Sequence, residues 1–132
     1  MTEDFGLERE HREFRDIFRR FVADKVAPIA ERGEREHRFP REVYAVLRDA
    51  GFLAVNFPVE IGGGGGDLLM GCIFYEELTR ASAGGSAGGC AHQHLAAGPV
   101  FHLGTEEQQR EFLLPALRGE RIGAFGLTEP DA

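Results

Sequence analysis

The chain has 132 residues, a length that suits one domain with one hydrophobic core. Apolar residues make up 42% of it, which is enough for burial and argues against disorder. With 15 basic and 22 acidic residues the net charge is −7, so nucleic acid and anionic membrane surfaces are excluded as favoured partners. The acidic start has no following apolar run, and no stretch approaches the ~20 apolar residues of a membrane span. We therefore expect no signal peptide, no membrane insertion and a cytoplasmic location.

Three helices are predicted in the first half of the chain. Apolar residues recur at helical spacing over about residues 7–24, with charged residues on the other faces, which we interpret as solvated. Pro28 fits the first turn of a second helix, which extends to about residue 36, because an N–H has no partner at that position anyway. A third helix begins at Pro40 and ends before Gly51, a residue typical of helix C-termini.

Five consecutive glycines, Gly62–Gly66, interrupt the helical pattern. A phosphate-binding loop needs Gly-Lys followed by Ser or Thr at the start of a helix, whereas Asp67 follows here. We interpret the stretch as a flexible loop between helices.

The next stretch, residues 68–75, is apolar on every side. A helix without a polar face is buried all round, so we expect another domain or subunit to cover it, with Glu76 and Glu77 at its exposed end. Cys72 and Cys90 both lie in apolar surroundings, and we predict that they are free, buried thiols.

Small residues dominate positions 81–104, where glycines weaken a helix that the position nevertheless favours. Glycine on a buried helix allows either close helix packing or a ligand cavity, and the composition does not separate the two. Thr105 and Gln108 form a capping box for a further helix, which Pro115 is expected to kink or break. Residues 121–127 are typical of a strand.

Few side chains are arranged for chemistry. His92 and His94 diverge by about 200° on a helix, so they do not converge on a metal, and we expect one in the interior and one near a surface or cavity. Glu76 and Glu77 diverge by about 100°, which excludes a carboxylate pair. We find no Ser-His-Asp arrangement and no G-x-S-x-G motif.

The last six residues, Leu-Thr-Glu-Pro-Asp-Ala at 127–132, resemble the start of the L-T-E-P-x-A-G-S-D signature of the acyl-CoA dehydrogenase family. Four earlier pieces resemble the N-terminal half of that family in the same order: Arg38-Phe39-Pro40, Pro58 to Gly63, Glu76-Glu77-Leu78 and Gly104 to Gln108. Together they cover nearly the whole chain.

The resemblance implies an all-α fold, a bundle of about six helices. Residues 1–120 would form the N-terminal helical domain, and residues 121–132 the first strand of a flavin-binding β-domain. The resemblance further implies FAD as cofactor, acyl-CoA as substrate, an electron-transfer acceptor as partner and a homo-oligomer.

Site residues also follow from the resemblance. Phe125, Leu127 and Thr128 match positions that contact the flavin, while Ala87, Gly88 and Ala91 match the lining of the acyl pocket. The family's catalytic glutamate belongs to a C-terminal domain, so no catalytic residue and no metal ligand are expected in these 132 residues.

Two alternatives remain open. The first is a flavin monooxygenase or nitroalkane oxidase of the same fold. The second is a non-catalytic helical module that packs against a partner, which the apolar stretch 68–75 favours.

Overall fold

The computed structural model describes residues 6–81 and 83–130. Its helices are α1 (Arg9–Phe21), α2 (Ala27–Arg35), α3 (Glu42–Asp49), α4 (Leu68–Ala81), α5 (Ala83–Leu103), α6 (Glu106–Gln108) and α7 (Leu114–Leu117). A short 3₁₀ turn covers Val59–Ile61. The prediction of an all-α bundle is confirmed. Asp131 and Ala132 of the signature lie outside the described residues, as does the side chain of His92.

Two prolines lie just after wide π-helical turns, Val22–Val26 before Pro28 and Gln109–Leu113 before Pro115. Proline cannot donate to the carbonyl four residues earlier, and its ring collides with that carbonyl in a regular helix. The wide turn displaces the carbonyl, so α1 continues into α2 and α6 into α7. The predicted interruption of the helix before residue 27 is therefore absent.

The main core lies between α1, α3, α4 and α5. Phe18 and Phe74 are fully buried and stack with ring centroids 5.0 Å apart, and Leu47 and Leu78 complete the centre. Burying each such side chain contributes about 1.5–3 kcal/mol. A smaller cluster forms where the middle of α5 meets α7: Ala54, Phe57, Ala97, Leu113 and Leu117.

The glycine stretch is not the flexible loop that the composition suggests. The N–H groups of all five residues Gly62–Gly66 donate to carbonyls of residues 54–59, at 2.8–2.9 Å. A methyl group added at Gly64 would lie 2.9 Å from the Val55 carbonyl oxygen. The backbone here folds against itself, so the N–H groups that a phosphate would need already have partners.

Within the chain, α4 is covered on one side only. Ile73 and Phe74 are buried, while Leu68 is 79% and Leu69 is 39% exposed. Cys72 is exposed on that outer side and Cys90 is buried, so the predicted burial is confirmed for Cys90 and wrong for Cys72. The helices of this chain leave that side of α4 exposed, and its cover by another domain or subunit stays a prediction.

Glu77 is also placed differently from the sequence prediction. It is 1% exposed, and its two carboxylate oxygens accept hydrogen bonds from Arg19 at 2.9 and 2.8 Å. These bonds lower the pKa of Glu77 despite its burial. The charged face of α1 therefore holds α4 through this pair instead of being wholly solvated.

The predicted strand at residues 121–127 is wrong for the described residues, in which residues 122–129 adopt no regular secondary structure. A strand is defined by hydrogen bonds to a neighbouring strand, and the described residues supply no neighbour. We call residues 121–130 the C-terminal segment.

Candidate functional site

Helix α5 has one closed face and one open face. Because an α-helix has 3.6 residues per turn, side chains three or four residues apart lie on the same face, and one such face of α5 points into the bundle. The buried side chains of this face are Ser86, Cys90, Gln93 and Ala97. The opposite face carries Gly88, Ala91 and Leu95, and Leu95 is 54% exposed.

The three predicted acyl-pocket residues divide between these faces. Ala87 is 8% exposed and belongs to the main core. Gly88 and Ala91 lie near each other on the open face. A methyl group added at Gly88 would meet no atom within 4 Å, so this glycine leaves space beside α5 instead of allowing a close contact.

The C-terminal segment runs beside the same helix. The Gly123 N–H donates to Gln93 Oε1 at 2.5 Å, and a methyl group added at Gly123 would lie 2.7 Å from the Ala96 side chain. Arg121 donates to the Glu111 carbonyl at 3.3 Å, the carbonyl that loses its helical partner at Pro115. An apolar cavity of about 300 Å³ lies between α5, α7 and this segment.

The three predicted flavin positions lie further along the segment. Phe125 and Leu127 are 41% and 75% exposed, and Thr128 is exposed as well. Within the described part of the chain, the backbone groups of residues 124–129 make no hydrogen bond. Their N–H and C=O groups and the Thr128 hydroxyl therefore have no partner among the described residues, and they are donors and acceptors of the kind that the polar edge of FAD would need.

Sequence reasoning missed a buried polar cluster behind the open face. The Tyr75 hydroxyl bonds His94 Nδ1, and His94 Nε2 donates to the Leu53 carbonyl at 2.8 Å. Burial lowers the pKa of His94 and so favours the neutral ring, in which Nε2 donates to Leu53 and Nδ1 accepts from the Tyr75 hydroxyl. A tyrosine and a histidine on neighbouring apolar helices were the only signal, and it is weak.

Burial also raises the pKa of Tyr75, and it raises that of Cys90 to about 12. Among the described residues no cluster of His, Cys, Asp or Glu is suited to a metal ion. The cluster thus pins α4, α5 and the loop after α3 together with uncharged groups.

The chain is thus an all-α domain in which one face of α5 is open and residues 124–129 have no backbone hydrogen bond within the described part of the chain. The model of the acyl-CoA dehydrogenase N-terminal domain matches residues 8–120. The chain belongs to the acyl-CoA dehydrogenase family, and the resemblance found in the sequence is confirmed.

Individual relatives agree. The chain is 40% identical, over 129 residues, to the short-chain specific acyl-CoA dehydrogenase of Clostridium acetobutylicum, covering 98% of this chain and 34% of that protein. Butyryl-CoA dehydrogenase from Megasphaera elsdenii superposes with a TM-score of 0.81 at 33% identity, over 98% of this chain and 34% of that one. An acyl-CoA dehydrogenase from Bacillus anthracis, solved with FAD, gives a TM-score of 0.72 at 30% identity, over 98% and 22%.

The chain spans about a third of the length of the curated relatives that it matches. Its similarity to them therefore concerns their N-terminal domains. No helix of the described residues combines the length and the apolar content that crossing a bilayer requires.

Proposed function

We propose that this chain acts as the N-terminal domain of an FAD-dependent acyl-CoA dehydrogenase, which removes two hydrogens from an acyl-CoA thioester. The observation that carries the proposal is the open face of α5 at Gly88, with the C-terminal segment tied beside the same helix at Gly123. The open face of α5 would line the pocket for the acyl chain, and the C-terminal segment would contact the flavin.

FAD, when bound, accepts the hydride that leaves the substrate. The chain's own part is to place hydrogen-bond donors at the pyrimidine edge of the flavin, where negative charge develops. The backbone at Phe125 and Leu127 and the Thr128 hydroxyl have no partner in the described residues, which supports this role. The base that removes the substrate proton would come from another part of the enzyme.

Gly88 brings no side chain to the open face of α5 and Ala91 brings only a methyl group, which favours a long, branched or ring-bearing acyl group. This preference is a proposal about the substrate class only. An electron-transfer acceptor, a homo-oligomeric state and a cytoplasmic location belong to the same proposal and are tested by acceptor assays, sedimentation and cell fractionation.

A chimera tests the proposal directly. This chain would replace the matching 129 residues of the Clostridium acetobutylicum relative, which retains its own remaining two-thirds. The purified chimera should be yellow and should reduce an electron acceptor with acyl-CoA. The 132-residue chain alone should be colourless, because it supplies only one edge of a flavin site. A colourless chimera that is folded would contradict the proposal.

The acyl assignment is tested in the same chimera with Gly88→Leu. The added side chain fills the open face, so kcat/KM should fall at least about tenfold for bulky acyl-CoAs and far less for short ones. Gly98→Leu is the matched control, because a methyl group there also meets no atom within 4 Å, further along α5. Equal losses for both acyl classes would mean that Gly88 does not line the pocket.

The exposed apolar side of α4 supports a second candidate, a non-catalytic module that binds a partner through Leu68, Leu69 and Cys72. A chimera that binds FAD but gains no activity with any acyl-CoA would favour this reading. Charged substitutions at Leu68 and Leu69 would then abolish binding of that partner to α4 without changing the FAD content of the chimera.

A further inference from the structure

We propose that Gln93 is a positioning residue, which fixes the position of the C-terminal segment (residues 121–130) relative to α5. The inference rests on the proposed function for its consequence, and on the geometry of one buried amide for its mechanism. Gln93 is 1% exposed and lies on the closed face of α5. Its side-chain hydrogen bonds within the described residues involve neither Gly88 nor residues 125–128.

The Gln93 amide uses each of its polar groups. Its oxygen accepts from the Gly123 N–H at 2.5 Å, and its nitrogen donates to the Ala116 carbonyl at 2.6 Å and the Arg121 carbonyl at 3.2 Å. Two carbonyls require the NH₂ end and one N–H requires the oxygen, so the partners fix the orientation of the amide. One side chain thus joins α5, the end of α7 and the C-terminal segment.

No other common side chain replaces this set. Leucine has a similar volume and no polar group, so it would leave the Arg121 carbonyl and the Gly123 N–H without their Gln93 partner, while the Ala116 carbonyl would keep only its bond from the Gly119 N–H. Asparagine is one methylene shorter and cannot reach partners on both sides from the same helix position. Glutamate keeps the shape and replaces the NH₂ group with an oxygen, which makes it a switchable probe of the same contacts.

The anchor lies close to the proposed flavin residues. Gly123 is two residues before Phe125, and a chain extends at most about 3.3–3.6 Å per residue, so Phe125 lies within about 7 Å of the fixed point. Helix α5 therefore carries both the proposed acyl-facing residues and the anchor of the flavin-facing segment. The spacing between substrate and cofactor would be set by one rigid helix.

The first arm of the test measures exchange of the Gly123 amide hydrogen by NMR in the 132-residue chain. Gln93→Leu should lower the protection factor of Gly123 by about 10–100-fold, since a buried hydrogen bond is lost. Gln108→Leu is the control, because Gln108 is exposed and bonds only within its capping box. Unchanged protection of Gly123 in Gln93→Leu would overturn the proposal.

Gln93→Glu keeps the test valid if the leucine variant fails to fold. Protonated, the introduced carboxyl group accepts from Gly123 N–H and donates to one carbonyl, so Gly123 stays protected. Burial raises the folded-state pKa of this group above its unfolded value, so its contribution is present below the unfolded pKa and is lost as pH rises through the folded pKa. Ionised, the carboxylate still accepts from the Gly123 N–H but faces the Ala116 and Arg121 carbonyls with no proton to donate, so the free energy of unfolding should fall with rising pH more steeply in this variant than in the parent chain, and parallel profiles would overturn the proposal.

The second arm uses the yellow chimera described above. Gln93→Leu should raise the Kd for FAD at least about tenfold, while Gln108→Leu leaves it unchanged. An unchanged Kd together with a released Gly123 would overturn the positioning role. If the parent chimera binds no FAD, the proposed function fails, while the exchange of Gly123 still reports whether Gln93 places the segment.

Discussion

Glycines occur in two regions of this molecule for opposite physical reasons. In the loop at residues 62–66 they allow the backbone to fold onto itself, and a methyl group added at Gly63 would run into the backbone carbonyl of Phe57. On the open face of α5 a methyl group at Gly88 would meet nothing within 4 Å. The first region is closed by glycine and the second is left open by it.

Glycine content alone therefore says nothing about flexibility or ligand binding. In the loop, the N–H groups are all used by the chain, which removes the phosphate-binding reading. At Gly88 on α5, glycine weakens the helix by about 1 kcal/mol while no atom packs within 4 Å of an added methyl group, so its effect is to leave this face open. Two adjacent glycines on α5 differ in the same way, since Gly88 lies on the open face whereas Gly89 is packed against Phe39 and Tyr44.

The largest expected effect comes from adding a side chain at Gly63, where the loop backbone lies against the Phe57 carbonyl. Gly63→Ala should reduce the free energy of unfolding by about 3 kcal/mol or more, because backbone atoms must move to make room for a methyl group. Urea unfolding followed by circular dichroism measures it. Gly126→Ala, with no atom within 4 Å, is the control, and similar values for the two variants would contradict the packed loop.

The two faces of α4 and α5 should differ strongly in thiol reactivity. Cys90 is fully buried and its pKa is raised to about 12, whereas Cys72 is exposed. At pH 8 a thiol reagent should modify Cys72 at least about 100-fold faster than Cys90, because thiolate and access are both needed. Single-cysteine variants Cys72→Ser and Cys90→Ser assign the rates, and equal rates would show that the closed face of α5 opens readily.

A smaller loss is expected at the packed glycine of α5. Gly89→Ala places a methyl group 2.4 Å from the Phe39 ring and 3.1 Å from the Tyr44 hydroxyl. Side chains adjust more easily than backbone, and alanine favours the helix by about 1 kcal/mol, so the net loss should be about 1–2 kcal/mol. Adding Phe39→Leu to this variant should recover part of the lost stability, as measured by thermal unfolding. If nothing is recovered, the methyl group of Ala at position 89 does not clash with the Phe39 ring.

The smallest effect has the opposite sign. Gly88→Ala should stabilise the chain by up to about 1 kcal/mol, because the helix gains alanine's propensity and no clash arises. Its neighbour Gly89→Ala is the matched comparison, measured in the same urea titration. A destabilised Gly88→Ala variant would mean that the open face is packed in solution and does not offer a pocket.

Local sequence patterns determined most of the helical fold. The spacing of Phe14, Phe18 and Val22 and the capping box of Thr105 with Gln108 predicted helices that the structure contains, and the capping box is present in detail. Such signals act within one or two helical turns, so they can be read from neighbouring residues. The ordered family motifs also located the chain within its family, which the match over residues 8–120 confirmed.

Tertiary structure alone decided which polar residues lie inside. Glu77 and Glu76 are adjacent and alike in sequence, yet Arg19 on α1 makes burial of Glu77 tolerable while Glu76 stays exposed. Gln93 looks like an ordinary polar residue until the C-terminal segment returns to it 30 residues later. Partners so distant along the chain are brought together only by packing of the helices, and no local pattern encodes that meeting.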